Sequence, residues 1–238
     1  MPLPLLARQA LAEFLGSAGL VAVVIGSGIA ASRLSSDTGL QLLENALVTG
    51  AGLVALILTF GPVSGGHFNP VVTLADRVLG GVGNRQVAVY LPAQVAGGAL
   101  GAVLANLMFG LPAIGIAQQE RSSAGLWLSE VLATAGLIML IFALVRSGRA
   151  ALAPFAVGAY IEAAYWWSSS TSFANPMIDL ARTLSDTFAG IAPSSVPAFV
   201  VAQLLGAALG VAAVLLLYPS AGAAAGDVVV PHPAEEPR

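Results

Sequence analysis

Two stretches of the sequence share an Asn-Pro pair that precedes an apolar run: Gly65-Gly66-His67-Phe68-Asn69-Pro70-Val71-Val72-Thr73 and Thr171-Ser172-Phe173-Ala174-Asn175-Pro176-Met177. Asparagine is a favoured N-cap, and proline is tolerated at the first helical position because its missing N–H needs no partner there. Each pair therefore predicts the start of a short helix. One isolated pair would be interpreted as an ordinary helix cap, but two pairs 106 positions apart indicate a repeated functional element.

A second pair of matching segments indicates that the chain is an internal duplication. The pattern Ala-Gln-x-x-Gly-x-Ala-Leu-Gly occurs at 93–101 and again at 202–210, an offset of 109 positions. The predicted organisation is a single domain over 1–218, with repeat one at about 8–110 and repeat two at about 122–218. Residues 219–238 are rich in Ala, Gly and Pro and are predicted to form a disordered tail.

Composition identifies the chain as an integral membrane protein. Hydrophobic residues make up 57% of its 238 residues and charged residues 9%, and the mean hydropathy is +0.88. Six stretches between charged residues are long enough to cross a bilayer, which takes about 20 apolar residues. Because each repeat holds three of them, the two copies cross the membrane in opposite orientations, an architecture that places a permeation or binding site at their interface.

Charge placement predicts how the protein lies in the membrane. Six of the nine arginines fall on the side that carries both termini, so the termini are expected to be cytoplasmic. The first apolar stretch is too long for a cleavable signal peptide, and it is expected to remain as the first span.

The same composition excludes several classes of function. The formal net charge is -3, and no basic stripe is present to hold a nucleic acid. The chain has no cysteine and two histidines, so no metal site and no cofactor are expected. An enzyme would need a nucleophile-base or metal constellation, and His67 beside one Asn-Pro pair is insufficient for that role.

The two Asn-Pro segments resemble the matching motifs of the aquaporin and aquaglyceroporin family, and the resemblance covers close to the whole chain. Supporting matches are Ala12-Glu13-Phe14-Leu15-Gly16, Glu130, Ala153-Pro154-Phe155-Ala156-Val157-Gly158 and the two Ala-Gln-x-x-Gly segments. The resemblance implies an all-α membrane protein with six transmembrane helices plus two re-entrant half-helices in an inverted repeat. It also implies a homotetramer with one pore per subunit.

In that arrangement the half-helices meet at the pore motifs Asn69-Pro70-Val71 and Asn175-Pro176-Met177. The two Asn amides would donate hydrogen bonds to the oxygen of a passing solute, and the positive helix ends would repel cations and protons.

Three further side chains near these motifs have predicted roles. Glu13 and Glu130 are expected to accept backbone N–H groups of the re-entrant loops, and His67 is expected to pack beside the pore. The role of Glu162 stays open.

The residues at the expected narrow point depart from the family pattern. Water-selective members carry an aromatic residue in the second span, a His in the fifth and an Arg three positions after the second Asn. The residues at these three positions here are Thr49 in the second span, Tyr165 or Ala163 in the fifth span, and Ile178 after the second Asn; of the two fifth-span candidates, Tyr165 is preferred. Ser172, three positions before Asn175, completes the expected filter. This filter is uncharged and is expected to be wider beside the second span, which argues against strict water selectivity.

Arg182, one helical turn after Ile178, could substitute in part for the missing filter Arg, but a surface role is the simpler interpretation.

The predicted function is a passive channel for small neutral solutes: glycerol-like polyols, metalloid hydroxides such as arsenite, and water. The run from Thr59 to Asp76 resembles a bacterial subgroup often linked to arsenic-resistance operons, so a bacterial plasma membrane is the expected location.

The alternative function is a proton-coupled secondary transporter that uses the intramembrane glutamates Glu13, Glu130 or Glu162. Uphill uptake that a protonophore abolishes would favour this alternative.

Overall fold

The computed structural model describes residues 3–219 as a helical bundle. Within this range the eight α-helices are α1 (Leu5–Leu34), α2 (Thr38–Ser64), α3 (Pro70–Leu79), α4 (Asn84–Met108), α5 (Ala124–Arg146), α6 (Ala153–Trp167), α7 (Pro176–Arg182) and α8 (Val196–Leu217). Short 3-10 helices, Ala150–Leu152 and Pro193–Ser195, precede α6 and α8. The predicted disordered tail lies outside the described residues, apart from Pro219.

Five of the described helices, α1, α2, α4, α5 and α8, are long and apolar enough to cross a membrane. The sixth predicted span corresponds to α6, which has 15 residues. At 1.5 Å per residue this helix is about 22 Å long, less than the ~30 Å hydrocarbon core, and the 3-10 helix before it extends the segment. The six-span architecture predicted from the sequence is therefore present, with one short span.

The two remaining helices, α3 and α7, are the predicted half-helices. They contain 10 and 7 residues. Each begins at the proline of an Asn-Pro pair, and the preceding Asn side chain accepts the N–H of the residue after the proline, at 3.0 Å from Val71 and 3.1 Å from Met177. Both helix starts are thus confirmed, and side-chain capping of the first turn explains them.

Close packing within each half depends on glycine. In the first half α1 packs along α4, and a Cβ atom at Gly97 would collide with the carbonyl oxygen of Phe14. In the second half α5 packs along α8, and a Cβ atom at Gly206 would collide with the carbonyl oxygen of Val131. Each half therefore brings two backbones into direct contact at an equivalent point.

The two halves join through three sets of contacts. Helix α2 packs against α6, while each half-helix packs against a helix of the other half, α3 against α8 and α7 against α4. The half-helices also touch each other. Their N-termini consequently meet in the middle of the bundle, at the interface where the inverted repeat predicts a permeation site.

Candidate functional site

The two Asn-Pro starts are linked to each other by reciprocal hydrogen bonds. Asn69 Nδ2 donates to the carbonyl oxygen of Ala174 at 2.8 Å, and Asn175 Nδ2 donates to the carbonyl oxygen of Phe68 at 2.8 Å. An amide nitrogen carries two hydrogens, so each Asn retains one N–H for another acceptor. Both side chains line a central cavity. These N–H groups can therefore meet a solute at the midpoint of the bundle.

The accepting carbonyls belong to residues with an unusual backbone conformation. Phe68 has φ 47° and Ala174 has φ 46°, in the left-handed region that residues other than glycine rarely adopt. Thr171 and Ser172, earlier in the second loop, also have positive φ, at 63° and 51°. Each such residue costs about 1–3 kcal/mol, so other contacts must hold the loops in this conformation.

Two buried glutamates supply those contacts. Glu13 accepts four hydrogen bonds, from the Ser64 hydroxyl at 2.6 Å, the His67 N–H at 3.0 Å, the Phe68 N–H at 2.8 Å and the Gln94 amide at 2.7 Å. Glu130 accepts an equivalent set in the second half, from the Ser170 hydroxyl at 2.6 Å, the Phe173 N–H at 2.9 Å, the Ala174 N–H at 2.8 Å and the Gln203 amide at 2.7 Å. Each carboxylate thus holds one re-entrant loop against the helix that carries the carboxylate, α1 for Glu13 and α5 for Glu130.

This bonding bears directly on the transporter alternative. A carboxylate offers about four lone-pair sites, and four donors occupy them in both Glu13 and Glu130. Neither residue lines the central cavity. Glu162 also lies away from it, packed beside Gly50 where α6 meets α2. The three intramembrane glutamates therefore form no proton path along the cavity, which favours a channel.

The central cavity combines an apolar wall with a small number of polar groups. Its volume accessible to the centre of a water molecule is about 60 Å³, enough for roughly four water molecules. The apolar wall includes Leu20, Leu53, Ile57, Ile141 and Val157. The Asn amides and the re-entrant loops supply much of the polar surface. A molecule with an alkyl side and a hydroxyl side fits such a lining.

The predicted filter residues all line this cavity, from the parts of α2, α6, the second loop and α7 that face it. They are Thr49, Tyr165, Ser172 and Ile178. Tyr165 is 4% exposed, whereas Ala163, the other candidate in the fifth span, is exposed on the outer surface of α6. The Tyr165 hydroxyl lies 3.3 Å from the Thr49 hydroxyl. Tyr165 therefore lies directly next to Thr49, across the interface between α6 and α2.

The position of Arg182 corrects one expectation from the sequence. Its side chain is only 3% exposed, so the surface role is wrong. Arg182 lines the central cavity and adds a guanidinium to a lining that also holds the four uncharged filter residues. The guanidinium Cζ lies 3.5 Å from the centre of the Phe173 ring, and Nε donates to the Ala189 carbonyl. Arg182 stands seven residues after Asn175, the position that the buried Asp76 holds after Asn69.

His67 lies beside the central cavity. Its side chain lines the central cavity, Nδ1 lies 3.0 Å from the Thr73 hydroxyl, and Nε2 lies 3.4 Å from an Asp76 carboxylate oxygen. These contacts fix the ring against α3. No group of three or more His, Cys, Asp or Glu side chains suited to a metal ion occurs among residues 3–219.

Comparisons with known proteins agree with this geometry. The sequence model of the major intrinsic protein family matches residues 3–188. The chain is 48% identical over 207 residues to the aquaglyceroporin AqpS of Rhizobium meliloti (strain 1021), covering 87% of this chain and 88% of AqpS. It is 31% identical to a glycerol uptake facilitator protein of Pseudomonas aeruginosa, covering 88% of each chain. The crystal structure of the aquaglyceroporin from Plasmodium falciparum superposes with a TM-score of 0.71 at 18% identity, covering 92% of this chain and all of that one.

Proposed function

The chain belongs to the major intrinsic protein family and is therefore a membrane channel for small neutral solutes, and within that class we propose that it conducts glycerol-like polyols and neutral metalloid hydroxides such as arsenite. Members of this family are channels and not enzymes. The observation that carries the proposal is the pair of Asn amides held across the cavity, each with one N–H left for a solute oxygen.

The lining of the cavity supports polyols among the neutral solutes. A polyol has carbon atoms along one side and hydroxyl groups along the other. Aliphatic side chains such as Leu53 and Ile141 can contact the carbon side, while Asn69 and Asn175 can donate to the hydroxyl side. The hydroxyls of Thr49 and Tyr165 add polar contacts at the proposed filter. Water has no alkyl side and would use only the polar groups.

The same groups act against ions. The N-termini of α3 and α7 point their partial positive charge at the middle of the pore, and the Arg182 guanidinium lines the cavity on one side. A cation would lose its hydration shell in a small cavity and meet positive potential there. We therefore expect neutral molecules to pass while Na⁺ and protons are excluded.

Arsenite is included because its neutral form is a compact molecule with three hydroxyl groups, similar in shape to a small polyol. Its permeation through this pore needs no thiol, and the chain has none. Expression in a bacterial strain that lacks its own glycerol channel tests the assignment by cellular arsenic content after exposure to arsenite. We expect faster accumulation than in the empty-vector strain. Unchanged accumulation, with the protein present in the membrane, would exclude arsenite as a solute.

Substitution Ile178→Arg tests the filter assignment. A guanidinium at this position would enter the cavity close to Arg182 and narrow it, so glycerol permeability should fall more than water permeability. Ile178→Met is the matched control, because a similar apolar volume should leave both permeabilities close to wild type. Both are measured by light scattering on proteoliposomes. An equal loss for glycerol and water would show that Ile178 is not at the selective constriction.

The assembly and location follow from the family and form part of the proposal. We propose a homotetramer in a bacterial plasma membrane, with both termini cytoplasmic and lipid around the outer surface. Large apolar side chains such as Leu128, Leu205 and Leu216 are exposed on the described surface and need lipid or neighbouring subunits to cover them. Native mass spectrometry of the purified protein tests the tetramer, and a dominant monomer would contradict it.

A further inference from the structure

A second cavity, the α7 vestibule, opens at the end of the pore where α7 ends. It is lined by Thr38, Gln119, Arg121, Thr171, Arg182 and Phe188 among others. Its volume accessible to the centre of a water molecule is about 410 Å³. Arg182 lines both this cavity and the central one. A solute that uses this end of the pore therefore passes the Arg182 guanidinium.

The vestibule is lined by two arginine side chains, Arg121 and Arg182. Arg121 Nε donates to the Gly190 carbonyl at 3.0 Å, and Arg182 Nε donates to the carbonyl of the adjacent residue, Ala189. The Cζ atoms lie 5.3 Å and 3.5 Å from the centre of the same Phe173 ring. One short loop and one aromatic ring thus position both side chains, and two like charges are kept close together.

No group in the described part of the chain neutralises this pair at contact distance. Among residues 3–219, no carboxylate lies within 4.0 Å of either guanidinium. The Glu130 carboxylate is occupied by loop N–H groups, and Asp179 accepts from Gln203. These carboxylates attract Arg182 only from a longer distance. Arg182 is buried and Arg121 is half-buried. Because buried charges are normally paired, these two guanidiniums without a carboxylate partner beside a cavity indicate a site for an anion.

The terminal nitrogens of the two side chains are the free donors. Each guanidinium uses only Nε in a hydrogen bond to the described part of the chain. The terminal nitrogens have no such partner, and they are not among the buried polar atoms that solvent fails to reach. A guanidinium presents its nitrogens in a plane that matches a carboxylate, with two parallel hydrogen bonds. The arrangement favours a planar oxyanion over a spherical one.

We propose that the α7 vestibule binds a small hydroxymonocarboxylate, with its carboxylate between Arg121 and Arg182. The hydroxyls of Thr38 and Thr171 and the amide of Gln119 line the same cavity and can bond the hydroxyl groups of such an acid. Because Arg182 also lines the pore, the bound anion stands in the path of neutral solutes and slows their passage. This consequence for flux rests on the proposed function, whereas the binding itself does not.

The test measures how glycerate, a carboxylate with the glycerol skeleton, affects glycerol flux into proteoliposomes at neutral pH. Sodium chloride at matched ionic strength controls for charge screening. We expect glycerate to slow wild-type flux more than chloride does. The slowing is expressed as a fraction of each protein's own glycerol flux without glycerate. The glycerate concentration that gives the same fractional slowing should be about tenfold higher or more in Arg121→Gln and Arg182→Gln than in wild type. Arg33→Gln is the matched control, because Arg33 donates to the Phe109 carbonyl and does not line the vestibule.

Two results would overturn the inference. One is equal slowing of wild-type flux by chloride and glycerate. The other is unchanged glycerate sensitivity in both Arg121→Gln and Arg182→Gln.

A binding measurement separates this inference from the proposed function. Calorimetric titration of glycerate into the purified, detergent-solubilised protein requires no transport. Binding to wild type that weakens in Arg182→Gln, but not in Arg33→Gln, would support the site even if glycerol did not permeate. Absence of glycerate binding to wild type would reject the site whatever the flux experiments show.

Discussion

Replacing Asn175 with Leu should reduce glycerol permeability per folded protein at least about tenfold. The change removes the N–H that faces the cavity, and loss of one hydrogen bond of about 1.4 kcal/mol to a passing solute corresponds to a factor of ten. It also leaves the buried Phe68 carbonyl without its donor and removes the cap of α7. A branched apolar side chain would further obstruct the centre of the cavity.

Two companion variants separate the pore effect from damage to the fold. Asn175→Asp keeps an acceptor for the Met177 N–H and so keeps the cap, but it has no N–H for a solute. It should fold and still conduct glycerol poorly. Asn106→Leu removes an equally buried Asn that lines neither cavity, and its flux per folded protein should stay close to wild type. Wild-type flux in Asn175→Leu would mean that solutes do not pass between the two Asn side chains.

Replacing Glu130 with Gln should lower the stability of the protein by about 2–4 kcal/mol. The substitution exchanges one carboxylate oxygen for an NH₂ group, so two of the four donors around Glu130 face another donor. Each unmatched buried donor costs about 1–3 kcal/mol. The midpoint of thermal unfolding in detergent should therefore fall by about 5–15 °C.

Glu162→Gln is the matched control for this prediction. Glu162 also lies within a membrane-spanning helix, but it accepts no hydrogen bond from the described residues, so its unfolding midpoint should stay near that of wild type. Glu13→Gln should resemble Glu130→Gln, because its four donors are equivalent. A Glu130→Gln protein as stable as wild type would contradict the role of this carboxylate as the anchor of the second loop. In that case a proton-carrying role would regain support.

The features that the sequence predicts well follow from local capping, from the internal repeat and from the need of buried N–H groups for an acceptor. The starts of α3 and α7 follow from capping by Asn69 and Asn175, which depends on residues two positions away. The inverted repeat follows from matching segments and from the spacing of charges. Glu13 and Glu130 could be assigned because a re-entrant loop leaves N–H groups that need an acceptor inside the membrane.

The features that the sequence left open or missed depend on long-range packing. Whether Tyr165 or Ala163 faces the pore depends on the rotation of α6 against α2, and spacing alone does not fix that rotation. Arg182 turns inward because the chain after α7 folds back and presents the Ala189 carbonyl, and because Phe173 offers a ring face. Arg182 and Arg121 contact the same Phe173 ring although they are 61 positions apart in the sequence. None of these contacts leaves a local pattern in the sequence.

The most direct test of the central claim is a stopped-flow measurement on proteoliposomes that contain the wild-type protein and a trapped pH indicator. The vesicles are first shrunk by an inward glycerol gradient and then followed for reswelling and internal pH together. A passive channel for neutral solutes predicts rapid reswelling that stops when glycerol is equal on both sides, no pH change, and no effect of a protonophore. Glycerol accumulation above the external concentration under a proton gradient, lost on addition of the protonophore, would contradict the account and establish a coupled transporter.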